Sequence, residues 1–201
     1  MTEDAITDYP TGYDAIVIGT GISGGWAAKE LCENGLKTLV LDRGRMVKHI
    51  EDYPTMHLDP WDFEHRGMQN EDDLKNQQKQ NRLWGGGLTK PGHKHWFVDD
   101  LKHPYNEPNK RFDWLRGYHV GGRSIMWGRQ SYRLSEMDFE ANKKDGHGVD
   151  WPIRYNDIAA WYDKVEEFIG VSGQNLGLSQ LPDGKLSDPM DLNCVETDLQ
   201  K

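Results

Sequence analysis

The residues with the clearest chemical use are Gly19-Thr20-Gly21-Ile22-Ser23-Gly24, a G-x-G-x-x-G pattern. Glycine in the first place permits a tight turn, in the second lets backbone approach a pyrophosphate, and in the third allows a helix to pack on a strand. The N–H groups that open such a helix have no intrahelical acceptor and suit an anion, which makes Gly19, Gly21, Ser23 and Gly24 candidate cofactor-binding residues. Asp42 lies 18 residues beyond Gly24, where an acidic side chain would accept hydrogen bonds from an adenosine ribose, and Arg43 stands beside it. A structural glycine turn in an unliganded α/β domain is the competing reading, and the flanking elements weigh against it.

Tyr13 to Ile18 is a short apolar run ending abruptly at Gly19, as a buried parallel strand does. Ile22, Trp26, Ala27 and Leu31 recur at helical spacing over Ile22 to Asn34, and Gly35 stands where a left-handed cap is wanted. Lys37 to Asp42 is a second apolar run closed by an acid, so strand, helix and strand form a βαβ unit. From Arg43 to Trp84 the pattern gives way to polar residues, with Glu71 to Arg82 either a solvated excursion or a surface helix. Trp84 to Gly87 reads Trp-Gly-Gly-Gly, and His95 to Val98 offers a short aromatic strand. Ile158, Trp161, Tyr162, Val165, Phe168 and Ile169 predict a helix over Asn156 to Ile169, capped by Asn156 and stopped by Gly170. Ser172 to Asp191 reads as a loop, after which the chain is expected to reach Lys201 without a closing element. No internal repeat is visible.

The 201 residues suit one domain or one and a half, at roughly 100–200 residues per domain. Leu, Ile, Val and Phe number only 40 and the mean hydropathy is −0.84, so the apolar core is thin, although eight Trp and eight Tyr argue for a folded chain. Half of a shared core would leave apolar surface uncovered. A net charge of −9 favours neither nucleic acid nor an anionic membrane. Cys32 and Cys194 form no CxxC and no disulfide framework, as fits a reduced compartment or indifference to redox state. No apolar signal segment opens the chain and no run approaches the ~20 residues of a membrane span, so the cytoplasm is the default expectation and membrane insertion is not expected.

A second glycine cluster runs from Arg116 through Gly117, Gly121, Gly122, Arg123 and Ser124 to Met126-Trp127-Gly128, after Phe112-Asp113-Trp114-Leu115. A glycine-rich surface loop would account for it alone. Paired with the first motif, and followed by Arg129 to Phe139 and Asp150-Trp151-Pro152-Ile153, it resembles the glucose-methanol-choline flavin oxidoreductases, in the branch of bacterial sugar and gluconate dehydrogenases and pyranose oxidases. The resemblance covers nearly the whole chain. It implies an α/β fold, a Rossmann-like FAD-binding domain of the ββα-sandwich, glutathione reductase-like type, incomplete and joined to the start of a substrate domain. It divides the chain into a tail at 1–12, the FAD-binding part at 13–150 with a polar excursion at 45–111, and a helix and loop at 151–201.

The same resemblance implies FAD on Gly19, Gly21, Ser23, Gly24, Asp42 and Arg43, with Arg116, Gly121, Gly122 and Ser124 near the pyrophosphate and flavin and Met126, Trp127 and Gly128 beside the ring. Glycine would be needed there because a Cβ holds the chain off the ring. Arg123 and Trp127 depart from the alcohol oxidase branch, and Met126 stands where pyranose oxidase-like members carry the histidine of a covalent flavin link, so the FAD is expected to be non-covalent. The implied activity is oxidation of a CH–OH group of a sugar, glycoside or sugar acid, with electrons passed to a small subunit or cytochrome, and with periplasmic residence by co-export as an alternative address. The family's catalytic histidine and its partner lie beyond residue 201, so no catalytic residue is assigned and the chain is expected to be an amino-terminal part of a longer enzyme. An NAD-dependent dehydrogenase would share the βαβ unit without calling for the second cluster, and a non-catalytic nucleotide-binding piece of a split enzyme is the other alternative.

Other residues have plainer readings. His93 and His95 lack partners at metal-ligand spacing and read as loop histidines, and no metal site is assigned. His119 could tune the ring or be a polar turn residue. Trp61, Trp84, Trp96 and Trp114 could stack on a sugar, with packing the more frequent use.

Overall fold

The structure is a computed structural model and describes residues 12–82 and 90–201, with the side chain of Gln80 left aside. The Trp-Gly-Gly-Gly segment at Trp84 to Gly87 and nearly all of the 1–12 tail lie outside the described residues. The chain forms two compact units, one running to Gly128 and the other from Arg129 to Lys201.

The first unit is built on β1 (Ala15–Ile18), α1 (Ile22–Glu33) and β2 (Thr38–Leu41). β1 and β2 pair in parallel, with Ala15 opposite Thr38 and Ile18 opposite Leu41. Gly19 continues the ladder by donating to the Leu41 carbonyl at 2.7 Å. The stop read at Gly35 is a Schellman turn: Gly35 has φ +83, its N–H donates to Cys32 O at 3.0 Å, and Leu36 N–H donates to Leu31 O at 3.1 Å. Only Val17 of β1 is buried, while Ile16 and Ile18 are 61% and 85% exposed, so the expectation of a wholly buried strand is corrected. Among the described residues the sheet has two strands, and α1 contacts both of them.

The polar stretch is two short surface helices, α2 (Glu71–Asn76) and α3 (Gln78–Arg82). Asn70 caps α2 by accepting from Asp73 N–H at 2.7 Å, and three acids occupy its first turn, where the helix dipole favours them. The expected strand at His95 to Val98 is instead a 3-10 turn over Lys94–Trp96, after which Val98 N–H donates to Arg116 O at 2.8 Å. The His93 N–H to Lys90 O and Trp96 N–H to His93 O bonds hold that turn, leaving only its exit extended.

The thin apolar composition has a structural counterpart in this unit. Trp96, Val98 and Leu115 join Val17 as buried apolar side chains, but Arg116 is buried with them. Its guanidinium pairs with Asp100 at 3.3 Å, donates to the His103 carbonyl, and stands 4.8 Å and 5.0 Å from the centres of the Tyr105 and Trp114 rings. Aromatic faces around a paired cation replace part of the aliphatic core that the sequence lacks.

The second unit carries α4 (Glu136–Asp145), α5 (Tyr155–Ile169) and α6 (Cys194–Leu199). α4 was not expected, although Ser135 and Asp138 stand at capping-box spacing: the Ser135 amide and hydroxyl both donate to Asp138, at 2.7 and 2.9 Å. α5 is the expected helix with the expected Gly170 stop at φ +69, but its N-cap is Arg154, not Asn156. The Arg154 amide finds the Asp157 carboxylate at 2.7 Å, three residues on, and Asn156 is already inside the helix. α6 is a short exposed helix that was not expected; Asn193 accepts from Val195 and Glu196 N–H while Glu196 accepts from Asn193 N–H at 2.8 Å. The 172–187 loop is tied by a bridge between Ser172 and Ser187 and by paired bonds between Asn175 and Gly184 at 3.0 Å.

The inward face of α5 mixes part of its apolar stripe, the half-buried Ile158, Tyr162 and Val165, with charged residues. Tyr155, Asp163 and Glu166 converge on the buried Arg133, whose guanidinium donates to Glu166 Oε1 at 2.7 Å, Asp163 Oδ1 at 2.6 Å and Tyr155 OH at 2.9 Å. Trp161 and Phe168 are each 60% exposed. A buried guanidinium requires compensating anions, and the helix is turned to supply them.

Candidate functional site

In the first unit, the two glycine motifs meet. A cleft of about 660 Å³ is lined by Gly21 and Ile22 from the first motif, by Arg123, Ser124, Met126, Trp127 and Gly128 from the second cluster, and by Phe97 and Leu115. The volume lies within the usual range for small-molecule sites, roughly 300–1,000 Å³.

The first motif is shaped by its glycines. Gly19 has φ +94, a left-handed conformation that L side chains rarely adopt. A Cβ on Gly24 would stand 2.0 Å from the Gly19 carbonyl oxygen, so the helix and the turn touch backbone to backbone. A Cβ on Gly21 would meet nothing within 4 Å, and this open space belongs to a residue that lines the cleft. Gly25 N–H bonds to Gly21 O at 2.8 Å, and the amides before it in the first turn have no acceptor within the helix. No acid occupies that turn, and Ser23 is exposed within it.

Asp42 is brought to the turn as expected. Its Oδ2 accepts from Thr20 N–H at 2.7 Å and from the Thr20 hydroxyl, and its Oδ1 accepts from Gly44 N–H at 2.8 Å. These bonds, the Thr20 hydroxyl first, hold the carboxyl below the usual carboxylate range and keep it ionised. The Arg43 guanidinium lies over the Tyr118 ring, 4.0 Å from its centre.

The second cluster is a 3-10 turn over Gly122–Met126, with Gly121 and Gly122 at φ +92 and +55. Gly121 N–H donates to the Thr20 hydroxyl at 2.8 Å, and a Cβ on Gly122 would stand 3.3 Å from Gly21 Cα. Ser124 folds back to donate to Gly121 O. On the other side Val120 N–H donates to Arg45 O at 2.8 Å, and a Cβ on Gly44 would stand 2.0 Å from the His119 amide nitrogen. Arg116, grouped with the site from sequence, is buried on Asp100 and its aromatic rings and is not among the residues that line the cleft. Ile22, Phe97, Leu115 and Arg123 line the cleft without having been grouped with the site from sequence, and Thr20, next to Gly21, ties Asp42 to Gly121. Thr20, Ile22 and Arg123 lie inside the two quoted motifs, which was the available signal, and Phe97 is brought in from outside either of them.

His119 is buried beneath the second cluster, edge-on to Trp96 with ring centres 5.6 Å apart. Burial pushes its imidazole below the ordinary value of about 6.5, against a smaller opposing pull from the Trp96 carbonyl. A depressed histidine contributes stability that is whole above its unfolded value and is lost as pH falls through the folded one. Urea unfolding followed by Trp fluorescence is therefore expected to show a less stable first unit at about pH 5.5 than at about pH 7.5, and His119→Gln to flatten the difference. Equal stability at both pH values in the unaltered chain would contradict it. Trp96, offered from sequence as a possible sugar platform, is used for packing here, and Trp61 is exposed.

Among the described residues, no group of three or more His, Cys, Asp or Glu side chains could hold a metal ion, and no helix is long and apolar enough to cross a membrane.

No family model matches the chain. Curated relatives do. It is 26% identical over 165 residues to the 6'''-hydroxyparomomycin C oxidase of Streptomyces lividus, covering 80% of this chain and 23% of that protein. It is 28% identical over 172 residues to the fructose dehydrogenase large subunit of Gluconobacter japonicus, covering 81% and 28%, and 27% identical over 173 residues to the 2-methyl-1,2-propanediol dehydrogenase of Mycolicibacterium austroafricanum, covering 85% and 26%. The chain thus spans about a quarter of the length of these relatives. The likeness to oxidoreductases expected from the two glycine motifs is shown by these matches, and they are consistent with the glucose-methanol-choline type.

Proposed function

We propose that the chain is the dinucleotide-binding part of an FAD-dependent oxidoreductase of the glucose-methanol-choline type, acting on CH–OH groups of a sugar, sugar acid or polyol. The observation that carries this reading is the shared cleft, in which Gly21 and Ile22 at the start of α1 face Ser124, Met126, Trp127 and Gly128 from a segment about a hundred residues later. The residues present fit the cofactor. The open side of Gly21 and the first-turn amides suit a pyrophosphate, Arg123 adds a positive charge, and Phe97, Leu115, Met126 and Trp127 supply apolar surface for a flat heterocycle. Asp42 would take a ribose hydroxyl and the Rossmann-like βαβ unit would hold the nucleotide half. FAD, when bound, would supply the hydride acceptor; the chain's own residues bind and orient it. The names of the relatives support a sugar or polyol substrate, and transfer of electrons to a small subunit or cytochrome is proposed with it.

The test is a visible spectrum of the chain incubated with FAD and desalted, repeated on the pellet and supernatant after acid precipitation. Flavin bands are expected, and they are expected to leave with the supernatant, because the Met126 thioether has no ring N–H to lose and is not expected to form the link that a histidine forms at that place. Bands that stay in the pellet would overturn the non-covalent assignment, and no bands would overturn FAD binding by this chain. A nicotinamide cofactor retained in place of flavin would favour the NAD-dependent alternative.

The exposed apolar residues of β1 favour a second reading, in which this chain holds the nucleotide for an enzyme completed by other polypeptide. Oxidation of a sugar or polyol by this chain alone would argue against it.

A further inference from the structure

We propose that Thr20 is a positioning residue: its hydroxyl ties the Asp42 carboxylate to the Gly121 amide, so that three separate chain segments present one preorganised nucleotide-facing surface. The inference rests on the reading of this cleft as a dinucleotide site. Thr20 occupies a place in the G-x-G-x-x-G motif that the motif itself leaves open.

The geometry assigns the hydroxyl both of its capacities. Its proton goes to Asp42 Oδ2, and its oxygen accepts from Gly121 N–H at 2.8 Å. The result is an N–H to O–H to carboxylate chain in which each bond polarises the next. The Thr20 amide adds a second bond to the same Oδ2 at 2.7 Å, and Gly44 N–H takes Oδ1 at 2.8 Å. An ionised carboxylate offers about four acceptor positions. The Thr20 amide and hydroxyl and the Gly44 amide fill three of them, and the Arg43 backbone adds its own interaction, so the orientation of the carboxylate is set by the protein.

The 121–122 segment has its own attachments, through Val120 N–H to Arg45 O and through the close approach of Gly122 to Gly21. Loss of the Thr20 hydroxyl should therefore leave the fold in place and release only the aim of the carboxylate and of the Gly121 amide. The charged and titratable groups around Asp42 are Arg43 and Arg45 on its own strand exit and His119 on the glycine segment; Gly19, Thr20 and Gly21 bring none.

Thr20→Val keeps the shape and removes the hydroxyl, Thr20→Ser keeps the hydroxyl, and Thr20→Ala serves as a second truncation if the valine chain does not fold. In the cofactor-free protein, Thr20→Val is expected to raise the Asp42 carboxyl titration followed by carbon-13 NMR and to speed hydrogen exchange at the Gly121 amide. The same variant is expected to weaken FAD binding, read by flavin fluorescence, about tenfold or more, the usual scale for a hydrogen bond to a charged group. Thr20→Ser is expected to restore all three. An unchanged Asp42 titration and Gly121 exchange in Thr20→Val would overturn the proposal whatever FAD does, as would a serine variant that behaves like valine. If the unaltered chain binds no FAD, the cofactor reading fails, and the two cofactor-free measurements still decide whether Thr20 makes the tie.

Discussion

Replacing Arg133 by alanine is expected to remove about 3–5 kcal/mol from the stability of the second unit, because it would strand a buried carboxylate. The side chain of Arg133 is 5% exposed and that of its partner Glu166 is 11% exposed. Glu166 holds the guanidinium through both oxygens, Asp163 and Tyr155 add one contact each, and Lys185 N–H reaches Glu166 Oε2 at 3.1 Å. Hydrogen bonding to Glu166, ahead of every other cause, pushes the Arg133 guanidinium far above its ordinary value. The cluster joins the 133–134 segment and the 184–185 loop to one face of α5, so its loss frees all three at once. Urea unfolding read through far-ultraviolet circular dichroism measures the change. Adding Glu166→Leu to Arg133→Met should recover a large part of it, since an apolar pair costs less than a lone buried charge. A loss below about 1 kcal/mol in Arg133→Ala would mean that solvent reaches Glu166 and that the cluster holds little.

Gly24→Ala is expected to weaken FAD binding by about a hundredfold or more, the equivalent of a clash costing roughly 3 kcal/mol at the site. The new methyl would lie 2.0 Å from the Gly19 oxygen and 2.9 Å from its carbonyl carbon, and both belong to backbone that cannot swing aside. Relief requires moving α1 off β1 or turning the Gly19 peptide, and either change moves the first-turn amides away from the cleft. Gly25→Ala is the matched control, one residue along the same helix. Its methyl would find Thr20 O at 3.7 Å, an ordinary contact, and alanine is the better helix former. Flavin titration of the two variants side by side gives the measurement. Gly24→Ala binding within about threefold of the unaltered chain would show that the helix and turn are looser than this packing.

How much was legible follows from where each signal is stored. The βαβ unit was readable because its cues are local: an apolar run stopped at Gly19, helical spacing from Ile22, and a glycine at 35 that completes a Schellman turn. Asp42 was readable for the same reason, being a fixed chain length from the motif on the next strand. α4 was missed although Ser135 and Asp138 marked its start, because its apolar content is low and periodicity had little to register. The aromatic run at His95 to Val98 looked like a strand, yet the turn bonds of Lys90 and His93 took its backbone first.

The sequence by itself determined the motif, the order of the elements that carry it and the Gly35 stop of its helix, since each depends on residues within a few turns of one another. Tertiary structure alone decided which far-apart residues share a cleft. It set Phe97, Leu115 and Arg123 beside Gly21, took Arg116 away to Asp100, made the Thr20 hydroxyl a link between Asp42 and Gly121, and brought Asp163 and Glu166 of α5 onto Arg133. The physical reason is that a hydrogen bond or a buried charge is satisfied by whichever partner the fold brings within about 3 Å, and sequence spacing does not encode that distance across a hundred residues.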